Sequence, residues 1–391
     1  MRLTSSRIFL SPPHMTGNEQ KYIAEAFAGN WIAPVGENID EFENEIAEYT
    51  GAKGAVAVSS GTAAIHLALS LLNIKRGDTV FCSSLTFVAT ANPIVYQGAE
   101  PVFIDSEPDT WNMSPLALEK ALHYAFLDGK LPKAVIIVNL YGQSAKYDEL
   151  LTLCHHYGVP VIEDAAESLG SSYKGISSGT FGDFGIYSFN GNKIITTSGG
   201  GMLVSDDLAA LDKVRYLATQ ARDPAIHYQH SVVGFNYRMS NILAGIGRGQ
   251  LQAIEKRVTA RRNIFDYYKE QLSPLPGVYF MPELNVSRTN RWLTALTINQ
   301  KEAGVTSNQI LKMLIKHNIE ARPVWKPLHM QPLFKGHKHF SHFEKESLSE
   351  QLFHTGICLP SGSNLTSSEQ MRVINYVKES FEEALNKEGI V

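Results

Sequence analysis

Lys193 closes the run Ser188-Phe189-Asn190-Gly191-Asn192-Lys193, in which an Asn/Gly turn separates two apolar stretches. Ile194-Ile195 follow at once, then Gly199-Gly200-Gly201, a run that lets backbones approach closely. A lysine in such a setting can have its ammonium destabilised and can condense with a carbonyl as a Schiff base. A solvated lysine is the ordinary alternative. Ser59-Ser60-Gly61-Thr62-Ala63-Ala64 reads as a strand end, a small polar turn and a helix start. Free N–H groups and hydroxyls there suit a phosphate, although a capped helix explains the residues equally well. Val161-Ile162-Glu163-Asp164 carries an apolar strand to a terminal carboxylate, where open α/β sheets place their ligands. Asp164 there can pair with a protonated ring nitrogen, and Glu167 follows three residues on; a helix cap is the plainer local reading. Phe87, after Thr86, offers a flat face for a ring or a side chain for the core.

These residues need elements to bring them together. Apolar runs of four to six residues mark strands at Gly54–Ser59, Thr79–Ser83, Glu100–Ile104, Ala134–Val138 and Pro160–Glu163, with helical patterns such as Thr62–Leu72 and Tyr147–His156 between them. Strands without polar alternation imply a parallel sheet covered on both faces. Gly185–Ser188, Ile194–Thr197 and Met202–Ser205 read as short strands. A helical pattern runs from Ser240 to Gln271 with Gly245, Gly247 and Gly249 inside it, which predicts close packing against another element. The composition changes at Ser273-Pro274-Leu275-Pro276-Gly277, and a smaller α+β unit follows. The expected organisation is therefore a large unit over 1–250 and a small one over 251–391, joined by the helix 240–271. A phosphate at a helix start, a carboxylate for a ring nitrogen, a lysine for an aldehyde and an aromatic for a ring face together describe a pyridoxal phosphate site.

Composition narrows the choice further. The chain has 391 residues, 44% hydrophobic and 19% charged, enough to bury large cores. A net charge of -4 leaves no basic excess to neutralise a nucleic acid. Cys82, Cys154 and Cys358 are far apart, so neither a disulfide framework nor a zinc knuckle is expected, and a reducing compartment fits. Met1–His14 lacks the apolar centre of a secretory signal, and no window holds about 18 uninterrupted apolar residues. A cytoplasmic protein without a membrane span is the expectation. His329, His337, His339 and His342 read as a polar loop, with no metal site expected.

With these motifs in order, the chain resembles the DegT/DnrJ/StrS sugar aminotransferases, of fold-type I. The likeness runs from Leu10-Ser11-Pro12-Pro13 to Ile357-Cys358-Leu359-Pro360 and is strongest at Ser59–Ala64, Thr86–Thr90, Glu163–Glu167, Ser188–Gly201 and Gly234–Met239. The resemblance implies a large domain with a mostly parallel seven-stranded sheet and a small C-terminal α+β domain. It implies that Lys193 holds pyridoxal 5'-phosphate, that Asp164 pairs with the ring nitrogen, that Gly61, Thr62 and Ser188 hold the phosphate and that Phe87 stacks on the ring. Glu167, a Gln or His in many relatives, would lie beside the cofactor. Asn236 would complete the phosphate site of a neighbouring subunit in a homodimer with shared active sites. Trp31, Arg238, His227, His230, Arg322, Trp325, Lys326 and His329 are the candidates for substrate contacts. Ser188–Gly201, Thr219–Arg222 and Arg322–His329 look most like the bacillosamine-pathway enzymes, which aminate the C4 ketone of UDP-2-acetamido-2,6-dideoxy-4-ketohexose with L-glutamate as donor. A different nucleotide-linked 3- or 4-ketosugar, dTDP- or GDP-linked, is the alternative. Relatives with His in place of the lysine are sugar dehydratases; this chain keeps Lys193.

Overall fold

The computed structural model describes residues 6–387. Met1–Ser5 of the Met1–His14 stretch and the last four residues lie outside the described residues. Seven strands form the main sheet: β1 (Gly54–Val58), β2 (Thr79–Ser83), β3 (Glu100–Ile104), β4 (Ala134–Val138), β5 (Val161–Asp164), β6 (Phe184–Ser188) and β7 (Gly201–Ser205). Their order is β1-β7-β6-β5-β4-β2-β3. From β6 to β3 every pairing is parallel, whereas β7 runs antiparallel to both β6 and β1. Val135, Ile136, Ile137 and Ile162 are buried as apolar runs demand, because helices cover both faces.

An eighth strand extends the seven the sequence implies. His339–Phe340, from the C-terminal third, pairs in parallel with Phe103 and Ile104 on the outer edge of β3. The histidine-rich stretch is thereby anchored. His329 and His339 stack with centroids 3.7 Å apart, and His342 Nδ1 lies 2.7 Å from the Ser114 hydroxyl.

Two sequence expectations need correction. Ile194–Thr197 forms no strand. Its backbone turns back instead, with Thr197 N–H donating to the Phe189 carbonyl and Ser198 at a φ of 71°, so Ile194 and Ile195 reach the core by packing rather than by pairing. The single helix 240–271 is two helices, Asn241–Leu251 and Ile254–Leu272, broken at Gln252-Ala253. The break separates two packing partners. The first helix lies on helices Glu19–Ala28 and Glu37–Thr50, and the second on the final helix Ser367–Lys387. The glycines explain the first contact. A Cβ at Gly249 would sit 2.7 Å from the Glu19 amide nitrogen, and one at Gly247 2.5 Å from the Phe42 ring.

The C-terminal third builds a second sheet, in the order Val278–Phe280, Thr294–Ile298, Gly356–Leu359, Arg322–Pro323. Its core gathers Leu296, Ile298, Ile310, Leu314, Ile357, Val373 and Ile374. The N-terminal segment crosses to it: Ile8 bridges Ile319, and Leu10 N–H donates to Glu320 Oε2. That crossing carries Phe9 to Pro13 along one wall of the large cavity between the sheets.

Candidate active site

Four chain segments end at one place. β1 leads into Ser59-Ser60, where the Ser60 side chain accepts from Ala63 N–H and starts the helix Gly61–Leu71. β5 ends in Asp164 and β6 in Ser188. The Gly199-Gly200-Gly201 run lies against the first turn; a Cβ on Gly201 would come within 2.4 Å of the Ser60 backbone. Only glycine permits that approach, which leaves the helix start facing an open cavity of about 970 Å³.

Gly61, Thr62, Phe87, Asp164, Glu167, Ser188, Lys193, Arg322, Trp325 and Lys326 all line this cavity. Phe87 is no core residue: it is 58% exposed and tilts against Trp325 with centroids 5.8 Å apart. The structure does not bring the remaining candidates into this chain's cavity. Arg238 is held by the Glu43 carboxylate and donates to the Ala57 carbonyl at 2.9 Å. His329 is spanned by Ser84 Oγ at 2.6 Å and Glu350 Oε1 at 2.9 Å. Trp31, His227, His230 and Asn236 are exposed elsewhere on the surface.

Both carboxylates are buried. Asp164 Oδ2 accepts from Thr90 Oγ1 at 2.7 Å and Oδ1 from Ala166 N–H at 3.2 Å. Burial pushes its carboxyl above the usual range, against the pull of Thr90, Ala166 and Lys193. Glu167 Oε2 accepts from Tyr141 N–H at 2.7 Å, and Lys193 Nζ lies 3.4 Å from Oε1. Tyr141 adopts a φ of 52° to aim that amide, a conformation non-glycine residues seldom take. Burial raises Glu167 to about 7, with Lys193 opposing. The Lys193 side chain is 12% exposed and its Nζ sits 4.2 Å from the centre of the Trp292 ring.

The sequence profile of the DegT/DnrJ/EryC1/StrS aminotransferase family matches residues 13–378. The chain belongs to this family. It is 63% identical over 375 residues, 96% of each chain, to the protein named "Putative pyridoxal phosphate-dependent aminotransferase EpsN" from Bacillus subtilis (strain 168). It is 38% identical over 375 residues to the GDP-perosamine synthase of Caulobacter vibrioides, covering 94% of this chain and 96% of that one. A crystal structure of a DegT/DnrJ/EryC1/StrS aminotransferase from Brucella abortus superposes with a TM-score of 0.85 at 28% identity, covering 93% and 95% of the two chains. The protein is accordingly a pyridoxal phosphate-dependent sugar aminotransferase of fold-type I.

The residues present fit that cofactor. Asp164 is buried among neutral donors, and the positive charge its burial calls for is the kind a protonated ring nitrogen supplies. The glycine-lined helix start offers N–H groups and two serine hydroxyls, Ser60 and Ser188, to a phosphate.

Nothing in the sequence marks Trp292, Tyr141 and Ser11 as site residues. They come from segments far from Lys193 in the chain, with no local chemistry to mark them. Thr90 closes the stretch Thr86–Thr90, but its bond to Asp164 depends on the turn Val88–Thr90 after β2.

Glu167 gives the aminotransferase a pH signature. A carboxyl whose folded value is about 7, against an ordinary 4.5, disfavours folding when ionised. That penalty is absent below pH 4.5, grows as pH rises and is complete above 7. It amounts to at most about 3.5 kcal/mol, at ~1.4 kcal/mol per unit. Urea unfolding of cofactor-free protein at pH 5 and pH 7.5 should show Glu167→Gln gaining stability over wild type at the higher pH only. An equal difference at both values would mean that Glu167 does not titrate in this window.

Proposed function

We propose that this aminotransferase moves the amino group of L-glutamate to the C4 ketone of UDP-2-acetamido-2,6-dideoxy-4-ketohexose, giving a UDP-4-amino sugar for glycan biosynthesis or protein glycosylation, as in the bacillosamine pathway. The observation that carries the reading is the convergence of Lys193, Asp164 and the start of helix Gly61–Leu71 on one cavity that Arg322 and Lys326 also line. Lys326, with Arg322 once a ligand draws it from Glu320, 2.8 Å away, suits a diphosphate. The likeness of Ser188–Gly201, Thr219–Arg222 and Arg322–His329 to bacillosamine-pathway enzymes supports the UDP-linked sugar. A GDP-linked 4-ketosugar is the second reading, favoured by the relative named GDP-perosamine synthase.

Pyridoxal phosphate, when bound, supplies an aldehyde carbon and an electron-withdrawing ring. Gly61, Thr62 and Ser188 would hold its phosphate, and Phe87 would cover one ring face. Asp164, fixed by Thr90 and the Ala166 amide, would keep a proton on the ring nitrogen. Lys193 would have two duties: its Nζ, which reaches into the cavity, would hold the cofactor, and as a free amine it would accept the proton that leaves the glutamate Cα. With the ketosugar the same amine would act in the reverse sense, delivering a proton to the sugar carbon that receives the nitrogen. Glu167 gives the Nζ a polar neighbour on one side, and Trp292 closes the other against water.

Asn236, Trp31, His227 and His230 lie exposed and outside this chain's cavity. In our reading they serve the cavity of a second copy, so the working unit is a homodimer with shared active sites. A cytoplasmic location and the division into 1–250 and 251–391 belong to the same reading. No helix among the described residues is long and apolar enough to cross a membrane.

The test is a panel of UDP-, GDP- and dTDP-linked 4-ketosugars with L-glutamate, products read by mass spectrometry and NMR. The UDP-linked N-acetylated sugar should be aminated at C4 with kcat/KM at least about tenfold above the others, within the range a few lost contacts produce. Preference for the GDP-linked sugar, or an amine at C3, would refute it.

A further inference from the structure

Arg261 is the largest fully buried side chain among the described residues, 1% exposed, on helix Ile254–Leu272. Among those residues no carboxylate comes within 4.0 Å of it; its neighbour in charge is another cation, Arg257. Burying a guanidinium without an anion is costly. What it holds instead is a set of oxygens at the back of the active site. Nη1 donates to the carbonyls of Trp292 and Ser361, and Nη2 donates to Ser11 Oγ at 3.0 Å.

The donor inventory then fixes a direction. Arginine can only donate, so Ser11 Oγ must accept from it, and the one hydroxyl proton of Ser11 is left for its other neighbour. That neighbour is the Asn192 carbonyl, 2.7 Å away. The same carbonyl accepts from Trp292 Nε1, also at 2.7 Å, so both of its lone pairs are used. On the other edge of the same peptide unit, Lys193 N–H donates to the Asn190 carbonyl at 3.0 Å. The peptide plane that joins Asn192 to Lys193 is therefore held at every polar atom. Trp292 acts twice, since its ring also carries the Lys193 ammonium.

We propose that Arg261, acting through Ser11 and Trp292, is a positioning residue for Lys193: it locks the Asn192–Lys193 peptide plane and so sets the direction from which Nζ enters the cavity. The buried charge is retained because it orients two donors that neutral side chains would leave free to rotate. Ser11 lies near the chain start, Trp292 precedes strand Thr294–Ile298 and Arg261 is on the connecting helix. The reactive lysine is thus aimed by parts of the fold outside its own sheet. The inference rests on Lys193 being the lysine that holds the cofactor.

The experiment uses the holoenzyme. Borohydride reduction followed by peptide mass spectrometry on wild type first establishes whether the cofactor is attached at Lys193; a label elsewhere overturns the Lys193 assignment itself, and the positioning inference falls with it. With the label at Lys193, Ser11→Ala, Ser11→Thr and Arg261→Met are compared by thermal melting, by the circular dichroism of the cofactor's visible band before substrate is added, and by kcat and KM for glutamate. Ser11→Ala should melt within a few degrees of wild type, lose at least half of the visible dichroism and drop about tenfold in kcat with KM changed less than about twofold, since small misplacements of a reacting group are costly in rate. Ser11→Thr, which keeps the hydroxyl, should stay within about twofold of wild type. Arg261→Met, where it folds, should reproduce the Ser11→Ala signature. Wild-type dichroism and kcat in Ser11→Ala overturn the inference, as does a loss confined to KM, which would make Ser11 a substrate contact, or a loss that only follows the melting temperature.

Discussion

Lys193→Ala is expected to lower kcat by at least about 10³-fold. A positioned base alone contributes roughly 10²–10⁴-fold, and here the same amine also forms the covalent attachment. The variant should still fold. Lys193 Nζ meets Glu167 and the face of Trp292, and a carboxyl already raised to about 7 by burial can take up a proton at small cost once its partner is gone. The cofactor should remain bound without covalent linkage, through the helix start and Asp164. The measurement is the half-reaction with L-glutamate alone, followed by the cofactor's visible absorption and by 2-oxoglutarate release. Wild-type conversion in the Ala variant would assign the attachment to another amine.

Asp164→Asn should be the next largest effect, about 10²-fold in kcat, together with weaker retention of the cofactor. The amide has nearly the volume of the carboxylate and can still accept from Ala166 N–H, so packing is preserved. What is lost is the negative charge. Each pKa unit by which the charge raises the ring nitrogen corresponds to ~1.4 kcal/mol, so two to three units suffice to decide whether that nitrogen is protonated at neutral pH. Stopped-flow rates with glutamate and the rate of cofactor loss on dilution would report the two effects separately. If both match wild type, Asp164 has no such role.

Much of this site was legible in the chain because its chemistry sits where strands end. The apolar runs of β1, β5 and β6 are short and terminate in small or charged residues, so Ser59–Thr62, Asp164 and Ser188 could be placed at one rim before any contact was known. The glycines of helix Asn241–Leu251 likewise announced a close neighbour. What the chain hid depends on partners remote in sequence. Ile194-Ile195 has the composition of a strand, but a positive φ at Ser198 folds it back. The helix break at Gln252-Ala253 carries neither proline nor glycine; it follows from two packing surfaces that one straight helix does not serve. Arg238 has the residue type of a phosphate binder, yet Glu43, some two hundred positions earlier, already holds it. Trp292 and Ser11 are ordinary in their local context and become part of the site only through the fold.

The pairing of Ile8 with Ile319 and of His339–Phe340 with β3 has a consequence for how the chain comes off the ribosome. Ser11 can meet Asn192 and Arg261 as soon as those residues are made, but Ile8 has no bridge to form until Ile319 has been synthesised. The outer edge of β3 stays unpaired until His339–Phe340 has been made. Helices and inner strands can assemble during translation, but the wall that Phe9 to Pro13 provides for the cavity is tied down at Ile8 and Leu10 only after Ile319 and Glu320 have been made. A nascent chain stalled before residue 319 would carry the lysine and the carboxylate without the enclosure that makes them useful.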